Sequence, residues 1–161
     1  MSVRSDDPTR NKIAWKWSKG ALTTTAELGT PTTTTSYLLC VYDGTDAPIL
    51  TLSIPAGGTC GDKPCWKETS SGFSYRNKDG DPNGVKGLSL SVGRELPGTA
   101  KISLKGGGAD LPIPTLPLVQ APDAVRILLI NDAGSASWCA SYSTPAATDP
   151  LSSARWKDKN D

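Results

Sequence analysis

Histidine is absent from the 161 residues, and that absence removes more chemistry than any motif supplies. Ser-His-Asp and Cys-His nucleophilic machinery, imidazole proton shuttling and the usual catalytic zinc, copper and non-haem iron sites all depend on an imidazole. Charge of one sign is also lacking. Lys+Arg 17 against Asp+Glu 16 leaves a net charge of +1, so no global field draws the chain to nucleic acid. No apolar run approaches the roughly 18 residues of a membrane-spanning helix. The longest, Tyr37 to Tyr42 and Ile127 to Ile130, are of strand length, and membrane insertion is not expected. The start, Met1 to Pro8, lacks the apolar core of a signal peptide, which fits either no export or a mature chain behind an added Met.

The residues that are present point to β structure in one domain spanning 1–161. Gly 16 and Pro 13 put many turns between short elements. Ile13, Trp15 and Trp17 alternate with polar or small neighbours, as do Leu50, Leu52 and Ile54, and Leu88, Leu90 and Val92. Period-2 alternation gives each strand one dry and one wet face, as in antiparallel sheets. Strands are predicted over 12–18, 36–43, 48–54, 72–77, 86–92, 99–106, 124–131 and 136–142, with no helix of useful length. The stretch Leu111 to Pro122, with four prolines, cannot lie inside a sheet. It reads as an extended crossover over an edge or across the mouth of the sandwich.

Laid on itself, the sequence repeats. Asn11 to Lys16 matches Ala100 to Lys105, and Leu38 to Asp43 matches Ile127 to Asp132, both at an offset of 89 residues; Tyr75 to Lys78 then matches Trp156 to Lys159 at an offset of 81. The half-repeats run over about 11–80 and 100–161, the first carrying an extra segment from Pro55 to Cys65. The expected fold class is all-β: a pseudo-twofold antiparallel β-sandwich, jelly-roll-like, from an internal duplication, with a closed barrel second.

Four cysteines in a Ser/Thr/Gly-rich β chain suit an oxidising compartment, so a secreted or periplasmic location is expected. Two disulfides are expected; of the three possible connectivities, Cys60 with Cys65 and Cys40 with Cys139 is favoured. The loop from Cys60 to Cys65 can turn back on itself, whereas Cys40, in a central strand, needs a distant partner. A zinc site of four thiolates is the lesser alternative.

Other motifs carry both plain and functional readings. Asp79-Gly-Asp-Pro-Asn-Gly84 opens like a calcium loop, with Asp79, Asp81 and Asn83 as ligands, but Leu90 stands where the closing acid belongs. A polar hairpin is the plainer reading, and no cofactor is expected. Trp15, Trp17, Trp66 and Trp138 read as core, while Trp156, between Arg155 and Lys157, is a candidate for stacking on a ligand. Lys12, Lys16, Lys101 and Lys105 lie on a polar strand face, where lysines on edge strands block sheet-to-sheet aggregation.

Several segments together, Asp7 to Lys12, Thr32 to Gly44, Pro55 to Cys60, Pro64 to Trp66, Gly72 to Tyr75 and Ser137 to Cys139, resemble an uncharacterised bacterial domain found, often near the C-terminus, in predicted secreted proteins. The resemblance spans most of the chain and implies an extracellular setting; no activity, ligand or catalytic residue comes with it. The expected role is a non-catalytic extracellular structural or surface-assembly module, whose partners are copies of itself or a larger secreted protein. The alternative is a glycan-binding module, calcium-assisted, and a carboxylate hydrolase comes third. Nucleic acid is not an expected partner.

Overall fold

The computed structural model describes residues 1–4, 7–44, 46–114, 125–134, 136–142 and the backbone of 155–157. About 48% of the described residues are strand and 5% helix. In chain order the strands are β1 (Ser2–Arg4), β2 (Lys12–Ser18), β3 (Tyr37–Asp43), β4 (Leu50–Ile54), β5 (Thr59–Cys60), β6 (Lys63–Pro64), β7 (Trp66–Thr69), β8 (Gly72–Arg76), β9 (Val85–Ser91), β10 (Lys101–Gly107), β11 (Val125–Asn131), β12 (Ser137–Tyr142) and β13 (Arg155–Lys157). A 3-10 turn, Pro8–Arg10, and a four-residue helix, α1 (Thr25–Leu28), complete the set.

Two antiparallel sheets face each other. One has the order β13-β1-β2-β10-β9-β8-β7, the other β12-β11-β3-β4, and a small hairpin pairs β5 with β6. The sheets remain separate, so the closed barrel does not form. Alternation decides the packing. Ile13, Trp15, Trp17, Leu88, Ile102 and Leu104 line the inner face of the larger sheet; Tyr37, Leu39, Val41, Leu52, Ile127 and Leu129 line that of the smaller, and all are buried. Leu28 from α1 and Leu111 close the ends. Gly84, at a φ of 76°, makes room for Leu111: a Cβ there would come within 2.6 Å of the leucine Cβ. Of the proline-rich stretch, only Leu111 to Pro114 falls among the described residues.

The strand order is symmetric about two central pairs. β2 lies beside β10, with Trp15 directly opposite Leu104, its partner at the offset of 89. β3 lies beside β11 in the same antiparallel way. In chain order, β1-β2-β3-β4-β8 and β9-β10-β11-β12-β13 therefore hold pseudo-twofold-related places, and β7 has no counterpart among the described residues. The offset of 89 is not kept in the second sheet. Leu39 faces the core, whereas Leu128, 89 residues on, lies on the outward face; Leu39 stands opposite Leu129. A shift of one residue reverses a strand's faces, so the true correspondence there differs from 89 by one.

A second correction concerns the lysines. Lys12, Lys16, Lys101 and Lys105 sit on β2 and β10, the third and fourth strands of seven, not on edges. They cannot act as edge guards.

The sandwich is clasped along both margins of the smaller sheet. Trp17 Nε1 donates to the Cys139 carbonyl of β12 at 3.1 Å, and Asn83 Nδ2 donates to the Ser53 carbonyl of β4 at 2.6 Å. Each supplies a donor to a carbonyl of an edge strand of the smaller sheet. Because Leu104 is fully buried at the centre of the larger sheet, Leu104→Ala should lower unfolding stability by about 2–5 kcal/mol. Lys105→Gln, one residue on and exposed, should change it by less than about 0.5 kcal/mol. Equilibrium denaturation compares the two, and equal effects would contradict the inward-outward assignment.

Candidate functional site

The segment joining β2 to β3 crosses one end of the sandwich and shapes a cleft on either side. Its short helix forms because Thr24 caps it: Thr24 Oγ1 accepts from Glu27 N while Glu27 Oε2 accepts from Thr24 N, a reciprocal capping box. The segment is docked by three further bonds. Tyr37 Oη donates to the Leu28 carbonyl, Asn131 Nδ2 to the Glu27 carbonyl at 2.8 Å, and Trp138 Nε1 to Thr23 Oγ1 at 3.2 Å. Burial, reinforced by the Asp132 carboxylate, pushes the Tyr37 phenol well above its usual range.

The first cleft, of about 520 Å3, lies between residues 20–23 and β12, with Trp17, Leu22, Thr23, Glu27, Trp138 and Cys139 around it. The second, of about 250 Å3, is polar and lies beside the β7–β8 turn, with Thr25, Glu68, Ser70, Ser71, Phe73 and Glu95. The three glutamates are thus divided, one to the first cleft and two to the second. Glu95 Oε1 accepts from both the backbone N and the hydroxyl of Thr25, each at 2.9 Å. These bonds hold its carboxyl below the usual carboxylate range, the wrong direction for a general acid. Glu27 is likewise engaged as the capping acceptor. Both carboxylates are used to hold the crossover segment in place.

The cysteines divide as well. Cys60 and Cys65 are bonded, across the β5–β6 hairpin. The expected bond between Cys40 and Cys139 does not form: both thiols are free, Cys40 buried and Cys139 exposed. The reason is register. Leu128 of β11 stands opposite Cys40 on one side and Cys139 on the other, so the two lie two strand spacings apart, about 9–10 Å. A disulfide requires Cα atoms within about 7 Å.

In the Asp79 to Gly84 loop, Asn83 is occupied at both ends of its amide, donating to the Ser53 carbonyl and accepting from Val85 N at 3.4 Å. Asn77 shapes the same loop, donating to the Asp81 carbonyl and accepting from Gly80 N. Among the described residues no three acidic or thiol side chains gather as a metal-ligand group. Asp79 and Asp81 are exposed on a tied hairpin. Trp15, Trp17, Trp66 and Trp138 are all buried. Trp156 pairs with Val3 through its backbone, and its side chain lies outside the described residues.

Comparison with protein-family models, with curated proteins and with solved structures finds no match.

Sequence reasoning missed both clefts, although the Thr24-x-x-Glu27 spacing is a legible capping signal. Glu95 was beyond reach, because its partner Thr25 lies 70 residues away.

Replacing Cys60 and Cys65 by serine opens a short loop and should cost about 2 kcal/mol of stability. Denaturation with Trp66 fluorescence as one probe measures it, since Trp66 packs between Tyr37 and Tyr75 at ring distances of 5.6 and 5.2 Å. A second expectation concerns pH. The Glu95 carboxyl is depressed in the folded state, so its contribution is present above the unfolded value near 4.5 and disappears as pH falls through the lower folded value. Glu95→Gln should flatten acid unfolding curves in that window and leave their slope unchanged near neutrality.

Proposed function

We propose that this chain is a non-catalytic extracellular module, a building block of a surface assembly or an appendage of a larger secreted protein. The observation that carries the reading is the Cys60–Cys65 bond, placed where the chain turns into Trp66, the buried indole that donates to the Pro55 carbonyl at 2.8 Å. A bond of that kind persists in oxidising surroundings and is rare in the cytosol. The lack of histidine and the engagement of Glu27 and Glu95 as hydrogen-bond acceptors support the non-catalytic half. The resemblance to a domain of predicted secreted proteins agrees with it. A glycan site built on stacked indoles gains no support from Trp15, Trp17, Trp66 or Trp138, which are all buried.

Alkylating the native protein in its own cells and medium, then mapping a non-reduced digest, tests the reading. Cys60 and Cys65 should be linked in the exported fraction, with Cys139 labelled at once and Cys40 only after denaturation. Label on both Cys60 and Cys65 before reduction, in protein confined to the cytosol, would overturn it.

A further inference from the structure

The outward face of the seven-stranded sheet gathers a set of cations, and strand register sets their order. Along the β2–β10 ladder, Lys101 lies opposite Ser18, Lys16 opposite Ser103, Lys105 opposite Ala14 and Lys12 opposite Gly107. All four lysines are exposed. Each faces a small residue, and successive lysines alternate between the two strands at diagonal spacings of about 7–8 Å. They form a staggered track along the middle of the sheet.

The face extends that pattern sideways. From Lys16 the row runs through Ser103, Ser89 and Ser74 to Lys67 on β7. From Lys105 it runs through Gly87 to Arg76, with Lys86 exposed at the neighbouring bulge, and Arg4 stands beside Lys12. These are eight of the chain's 17 Lys+Arg residues. The strands of this sheet contain one acid, Glu68, and it pairs with Phe73 on the core-facing side. A chain with Asp+Glu 16 therefore presents a sheet face whose strands carry no outward carboxylate.

Two plainer explanations fail. Edge protection does not apply to central strands. Internal pairing does not apply to the lysines named here either, because Lys12, Lys16, Lys67, Lys101 and Lys105 make no ion pair or side-chain hydrogen bond among the described residues. Like charges set diagonally across a ladder repel, and a polymer of opposite sign relieves that repulsion.

We propose that this face binds a linear acidic polysaccharide carrying carboxylate or sulfate groups along its length. The proposal rests on the extracellular reading above, under which the module meets such polymers. Charge complementarity supplies the attraction, and the serines between the cations, Ser74, Ser89 and Ser103, supply hydroxyls for sugar hydroxyls. The described side chains of this face include no aromatic group on which bases could stack, and no apolar side chain larger than Ala14 that could enter a bilayer.

The whole chain should be titrated with alginate and with heparin, using dextran as the neutral polymer, at low and moderate salt. Binding to alginate or heparin that weakens as salt rises, with none to dextran, is expected. The double variant Lys16→Gln/Lys105→Gln should bind about tenfold more weakly, while Lys63→Gln, on the β5–β6 hairpin, should bind as the parent does. Thermal melts should show all three proteins folded. Three results would each overturn the proposal: no binding to either acidic polymer at low salt, equal losses in the Lys63 variant, or tighter binding to duplex DNA or phosphatidylglycerol vesicles. Cysteine mapping reads the compartment separately, so a failure here with Cys60–Cys65 intact in exported protein leaves the extracellular reading standing.

Discussion

The antiparallel ladder between β2 and β10 is the constraint on which the rest of the sandwich depends. Seven residues of each strand pair across it, with Trp15 opposite Leu104 at the middle. Its inward side contributes Ile13, Trp15, Trp17, Ile102 and Leu104 to the core, and its outward side contributes the four lysines. A slip of one residue would carry the lysines into the core and the indoles into water. Slips by an odd number of residues do not survive that exchange, since a buried unpaired ammonium costs far more than burial of an indole returns. The flanking strands β1 and β9 then dock on a ladder whose faces are already decided.

Closing the smaller sheet over this ladder creates a polar problem that side chains solve one at a time. The crossover between β2 and β3 would leave the carbonyls of Glu27 and Leu28 buried at the sandwich end, and Asn131 and Tyr37 donate to them. The margins of the smaller sheet are met by Trp17 and Asn83. These donors belong to residues whose other atoms pack in the core or in the loop beside it. Structural demand of this kind also accounts for the quiet chemistry of the two clefts, where Glu27 and Glu95 hold chain segments rather than substrates.

The segment from Pro55 to Thr69 has no counterpart among the described residues of the second half, and it brings both the disulfide and Trp66. Among the described strands of the larger sheet, β7 is accordingly the one without a pseudo-twofold mate. The hairpin it follows is too short to bury a core of its own, so a covalent link does what packing cannot. On the far side of the same sheet, Lys67 of β7 extends the cationic face by one more strand. The elaborated half thus adds to stability at one surface and to charge at the other.

The sequence by itself determined the local alternation and its direct consequences: the β class, eight strands placed within about two residues, the core role of Trp15, Trp17, Trp66 and Trp138, and the Cys60–Cys65 bond. Each of these is set by neighbours within a strand or a short loop, where the period of two and a few turn residues suffice. Strands β1, β5, β6, β7 and β13 were not legible, because two to four residues carry too little pattern. Tertiary structure alone decided whatever depends on lateral register. It separated Cys40 from Cys139 by inserting Leu128, exchanged the faces of β3 and β11 relative to the offset of 89, paired Glu95 with Thr25, and moved the lysines from supposed edges to the centre. A net charge of +1 concealed the last of these. Summation over a chain discards position, and only the packing of strands side by side puts cations distant in sequence on one face.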